Sequence, residues 1–189
     1  MQKGLKKLKK TYKGSYSESA EEEHSISVIS ALIQYSTGDF RRRLFEKFTE
    51  ESHEKLDRLI ELYFTYTARS EATNRELAAE RRAHVASGDY DAEDMATWDA
   101  VADSRRLDGG LFVLRLVCAS LGAVAAESEG DVSKVAEGKL RVRGGALKDV
   151  VEVLKEYAGV VGEGEEEEVR EKAKKQILGI VEKIGEKYL

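Results

Sequence analysis

Residues 107–126 read LDGGLFVLRLVCASLGAVAA, and the fold follows from how this stretch is read. Leu111, Leu114, Cys118 and Leu121 recur at helical spacing, and Phe112, Val113, Leu116 and Val117 fill the gaps between them. A helix that is apolar nearly all round belongs inside a protein, with other helices docked about it. A membrane span needs about 20 mostly apolar residues. Here Arg115 interrupts the run, and Asp108 and the Gly109-Gly110 pair precede it. The stretch therefore predicts a central packing helix, with no membrane implied.

The flanking sequence supplies the helices that would surround it. Ser19 is positioned as an N-cap, with Glu21, Glu22 and Glu23 in the first turn, where negative charge suits the helix dipole. Ile26, Ile29 and Ile33 then form one stripe, with Val28 and Leu32 beside it, as far as Gly38. Asp39 can cap a short helix, FRRRLFEKF, to about Phe48. Ser52 can cap a longer one, in which Leu56, Leu59, Ile60, Tyr63, Phe64 and Thr67 fall on a buried stripe. From Ala68 to Ala86 the stripe fades while helix propensity persists, which predicts an exposed rod. Residues 87–94, SGDYDAED, read as a loop, so about 68–94 reads as an insertion.

A modest helix around Met95–Arg106 precedes the central one. Gly130-Asp131 opens a short helix near 132–142, and Gly144-Gly145 breaks it. Leu147, Val150, Val151, Leu154, Tyr157, Ala158 and Val161 make another stripe. Ile177, Ile180, Val181 and Ile184 close the chain. Two trios result: near 20–35, 40–48 and from 53, then near 108–126, 131–142 and 146–161. Long, short, long is the shape of an armadillo-type repeat, and the two starts lie about two repeat lengths of roughly 40–47 residues apart. The expected fold is all-α: an armadillo/HEAT-like α-solenoid with a capping helix, spanning 19–189 behind a basic lead-in at 1–18. A bare αα bundle is the alternative.

Composition bounds the function. The net charge of -5 argues against nonspecific nucleic-acid binding by the chain as a whole. Direct RNA contact would fall to Lys6–Lys13 and Arg41–Arg43. Cys118 is the sole cysteine, so no intramolecular disulfide can form, and its place on an apolar stripe suits a small core side chain. No apolar signal segment follows the basic start. His24, His53 and His84 do not pair at i+3 or i+4, as a helical metal site would require. Neither glycine pair continues into a phosphate-binding motif. No catalytic set, metal site or cofactor is expected.

Charge clusters remain as candidate contacts. Asp89, Asp91, Glu93 and Asp94 in the loop, and the run Glu165, Glu166, Glu167 and Glu168, could meet a basic partner. Arg41, Arg42 and Arg43 could grip an acidic one. The bland alternative for each is a solvated face.

Four longer strings carry a resemblance: EKFTEESHEKLDRLIELYFTY (46–66), SRRLDGGLFVLRLVC (104–118), LRVRGGALKDVVEVLKEYAGVVGEG (140–164) and KKQILGIVEK (174–183). In order and spacing they resemble the C-terminal part of the beta-catenin-like protein 1 family, over roughly residues 21–185. The likeness is weakest in 68–103. The resemblance implies an armadillo-repeat nuclear protein of the spliceosome, associated with the NineTeen complex. It implies partners among splicing-complex proteins, met through basic nuclear-localisation segments, and a capacity to self-associate, with no enzymatic activity. Family members are much longer, with more repeats before this part. The chain thus reads as a C-terminal fragment lacking a peptide groove built from those repeats, and no peptide-contact residue carries over.

Overall fold

The computed structural model describes residues 18–188 except 129 and 130; the basic lead-in with Lys6–Lys13, and Gly130, lie outside the described residues. The helices are α1 (Glu18–Tyr35), α2 (Gly38–Glu46), α3 (Glu54–Ser87), α4 (Ala92–Arg106), α5 (Phe112–Glu127), α6 (Val132–Val142), α7 (Leu147–Val160) and α8 (Glu167–Tyr188). No strand occurs among the described residues. The fold is an all-α, armadillo-like solenoid: α1, α2 and α3 form one long-short-long trio, α5, α6 and α7 the next.

The apolar stretch is central, as its composition demands. α5 packs against α1, α3, α6, α7 and α8. Val117, Cys118, Leu121 and Val124 are wholly buried. Burying a side chain of that size contributes roughly 1.5–3 kcal/mol. Its outer side is less sheltered than the sequence suggests: Phe112 is exposed and Leu116 half-buried. Burial pushes the Cys118 thiol well up from its ordinary value, which leaves a small hydrophobe and no ready nucleophile.

The stripes on the other helices face this core. Leu56, Leu59, Ile60 and Tyr63 of α3, Val150, Val151 and Leu154 of α7, and Ile177 and Ile184 of α8 are buried in one cluster. On α1, Ile26 and Ile33 point inward, while Val28 and Leu32 stand in solvent. Polar contacts tie the helices in register. The Tyr66 hydroxyl donates to Glu22 at 3.0 Å, and Arg58 reaches the same carboxylate at 2.7 Å. Lys139 of α6 pairs with Asp57 of α3. Asp149 accepts from the Ala146 amide and caps α7.

Several helix ends differ from the sequence reading. Ser19 is already helical, and Asp39 lies inside the first turn of α2, whose N-cap is Thr37. Ser52 does not cap α3: it adopts φ 58°, and His53 occupies the cap position at φ 73° without a side-chain bond. Periodicity locates a buried stripe but is blind to how the backbone turns into it.

The larger difference is at 87–94. α3 runs unbroken to Ser87 and ends on Gly88, at the left-handed φ of 69° that a glycine cap supplies. The non-helical connection contracts from 87–94 to 88–91, because Asp91 starts α4 with a capping box. α4 folds back along the distal half of α3, held by Arg105–Glu80 and Arg81–Asp99 and by the wholly buried Leu77. His84 packs between Tyr90 and Trp98, with ring centroids 4.1 and 5.8 Å away.

α4 does not stop before the central helix. A π-helical turn, Leu107–Leu111, joins it to α5 across a kink at Gly110, whose φ of 114° is not helical, and the kinked helix runs Ala92–Glu127. By length and composition that helix could cross a membrane, yet 67% of its apolar window is buried inside the fold. The extra residue of the π turn lets Gly109 and Gly110 press onto α3 beside Thr73 and Tyr66.

Candidate partner-binding surfaces

A groove of about 490 Å³ lies between α1 and α8, floored by α5. That volume sits within the roughly 300–1,000 Å³ usual for ligand clefts. Leu116, Ala119 and Ala123 make the floor. The small side chains of Ala119 and Ala123 keep it low, and Gly179 does the same on α8. Ile33 and Ile180 form the apolar lower walls, and Tyr157 closes one end beneath the Arg115 guanidinium, 5.5 Å from the ring centroid.

The groove is unevenly charged. Ser30, Ile33 and Gln34 make the α1 wall neutral, whereas α8 contributes Lys172, Lys175 and Lys183. Glu127 is the single carboxylate on the lining, and it is fully engaged. Arg41 donates to it from Nη2 at 2.7 Å and from Nε at 3.1 Å, and Lys183 reaches it at 3.2 Å. Partial burial would raise the Glu127 carboxyl, but these two cations outweigh that and hold it below the ordinary carboxylate range.

A carboxyl depressed in the folded state contributes stability above its unfolded pKa and loses it as pH falls through the folded value. Glu127→Gln should therefore cost about 1–2 kcal/mol at neutral pH, as a partly exposed charge-assisted contact does. The gap between variant and wild type should close as pH falls below the usual glutamate range of about 4.3. Urea midpoints measured across that range check both statements.

The charge clusters picked out in the sequence fall in different places. Arg41 is committed inside the fold: besides Glu127, it donates to the carbonyls of Ile33 and Ser36 and lies over the Phe45 ring. Arg42 pairs locally with Asp39 and Glu46, and Arg43 is exposed. Asp91 and Asp94 serve the α4 capping box: Asp91 accepts from the Glu93 and Asp94 amides at 2.8 and 2.9 Å. Asp89 and Glu93 are exposed beside them. Glu165 and Glu166 precede α8, while Glu167 and Glu168 open its first turn, all four exposed. The acidic loop, at the tip of the α3–α4 hairpin, and the glutamate run are separate features. No group of three or more His, Cys, Asp or Glu among the described residues is placed to hold a metal.

A second groove, about 480 Å³, lies where α1, α2 and α3 meet, over Ile26, Ile29, Leu44, Phe48, Leu59 and Leu62. Its rim balances Glu21 and Glu22 against Lys55 and Arg58, so it selects no sign of charge.

Residues 1–155 match the profile of the family described as catenin-beta-like, Arm-motif containing nuclear. The chain belongs to this catenin-beta-like family. Its relatives include beta-catenin-like protein 1 of Rattus norvegicus and of Homo sapiens, each 33% identical over 178 residues, and that of Bos taurus, 34% identical over 181. These alignments cover 94% of this chain but 31% of each relative, so the chain spans about a third of their length. The catenin-beta-like profile includes α1 through most of α7; α8, which supplies the basic wall of the groove, lies beyond it.

Proposed function

We propose that this chain is a non-enzymatic protein-binding portion of a nuclear scaffold acting in pre-mRNA splicing, and that a partner segment seats in the α1–α5–α8 groove. The observation that carries the reading is the groove itself: an apolar floor between two helices, with polar groups confined to its rims, which one exposed hydrogen bond, from Gln34 to Gln176 at 2.9 Å, spans. Family membership supports the Arm-type scaffold role and a nuclear location. The exposed run Glu165–Glu168 is a separate contact for basic segments of splicing partners, where charge would set encounter rate and orientation more than affinity.

The test is capture from nuclear extract, with nuclease added and bound proteins read by mass spectrometry. Splicing-complex proteins should be retained through nuclease treatment and lost with Ala119→Arg, whose long side chain would occupy the groove while the melting temperature holds. Retention unaffected by that variant would remove the groove from consideration. Loss on nuclease would mean that the association runs through RNA. Charge reversal of Glu165–Glu168 that changed nothing at low salt would dismiss that run.

A further inference from the structure

Resting on the groove as a partner surface, we infer that its occupant is an acidic amphipathic helix, lying with its apolar face on α5 and its carboxylates toward α8. The two walls differ in a way that dictates this. The chain as a whole carries -5, yet the groove lining holds Arg41, Lys172, Lys175 and Lys183 against the one carboxylate of Glu127. That carboxylate is already saturated by Arg41 and Lys183. Lys172 and Lys175 are exposed and make no ion pair with any described residue. They stand three apart on α8, on neighbouring positions of one helix face.

A basic segment placed here would meet like charge on one wall and no carboxylate left to pair with on the other. A neutral apolar segment would leave the lysines without partners but unharmed in solvent. An acidic one is rewarded on the α8 side and meets no charge on the α1 side, where Ser30 and Gln34 are neutral; it displaces only the exposed hydrogen bond from Gln34 to Gln176 that spans the rims. From Lys172 to Lys183 the wall runs about 16 Å at 1.5 Å per residue, or three helical turns. That length takes apolar anchors at i, i+3 or i+4, and i+7, the usual reading of a helix laid in a groove.

Synthetic helices distinguish this occupant from the others. The probes are fluorescein-labelled peptides of about four turns: one with a leucine face and glutamate flanks, one with the same leucines and lysine flanks, and one with the leucines replaced by alanine. Anisotropy titrations against the full chain should show binding of the glutamate–leucine peptide, weakening as salt rises. The lysine–leucine peptide should bind roughly tenfold more weakly or worse. Lys172→Glu with Lys175→Glu, both exposed, should leave the melting temperature unchanged and reverse the preference, while Lys148→Glu on α7 should not. Equal or stronger binding of the lysine–leucine peptide overturns the acidic occupant but leaves the groove a partner surface. So does an acidic-peptide affinity untouched by the double variant. If no leucine-faced peptide binds, or if Ala119→Arg leaves binding intact, the groove reading falls as well.

Discussion

Leu114→Asp should destroy most of the stability of this fold. Leu114 is 5% exposed, on the helix that five others pack against. Truncating such a side chain alone costs about 2–5 kcal/mol. An unpaired carboxylate in the same place adds its desolvation, or forces a helix outward to wet it. Domains of this kind are stable by only about 5–15 kcal/mol, so the variant should be largely unfolded at 37 °C or melt far below wild type. Circular dichroism melts of Leu114→Asp and Leu114→Ala check this. Phe112→Asp is the control: it lies two residues away but exposed, and a surface change should stay within about 0.5 kcal/mol. A Leu114→Asp melt matching wild type would mean that Leu114 is not in a core.

The second large effect belongs to Gly109 and Gly110. A Cβ on Gly109 would lie 2.8 Å from Thr73 Cβ, closer than carbon atoms approach, so α3 and the π turn must separate. Gly110 has φ 114°, where side-chain-bearing residues are strained by about 1–3 kcal/mol. A Cβ there would also crowd the Tyr66 ring at 3.2 Å and Arg69 Cβ at 3.3 Å. Overpacking adds about 1–3 kcal/mol. Gly110→Ala should thus cost about 2–6 kcal/mol by urea midpoint. Gly109→Ala, whose Cβ also meets Thr73 Oγ1 and Cγ2, should cost a similar amount, and Thr73→Ala, which removes those two atoms but keeps Cβ, should restore part of the Gly109→Ala loss and none of the Gly110→Ala loss. A double-mutant cycle reads that difference directly. Equal rescue of both would mean that the two glycines act through one general loosening of the turn.

Those glycines also mark where the sequence stops being legible. The two trios, and the stripes on α1, α3, α7 and α8, were readable because burial on one face imposes a period. The Gly109-Gly110 pair read as a boundary before the central helix. The backbone does leave helical φ/ψ there, at Gly110, but a π turn carries the chain across the kink without a loop, which no periodic pattern announces. The charge clusters were visible as composition, but their roles were set by neighbours distant in sequence. Arg41 meets Glu127, and Asp91 spends its carboxylate on the amides of α4. The α1–α5–α8 groove was missed because its lining comes from five separated segments. Its local signs are faint: Ala119 and Ala123 one turn apart on α5, and Lys172 and Lys175 spaced for one face of α8.

The α3–α4 hairpin behaves as a ruler. Its two arms are pinned across by Glu80–Arg105 and Arg81–Asp99, so each arm must keep the same face toward the other. Removing one residue from an arm turns its remaining distal part by about 100°. Two whole turns, about seven residues, restore the facing side. The hairpin can therefore change length by paired insertions or deletions, one block in each arm, moving its tip about 10 Å per block. Such changes would leave the helices around α5 untouched, which fits the weak resemblance across 68–103. A spacer of chosen reach could be built into this protein by the same arithmetic.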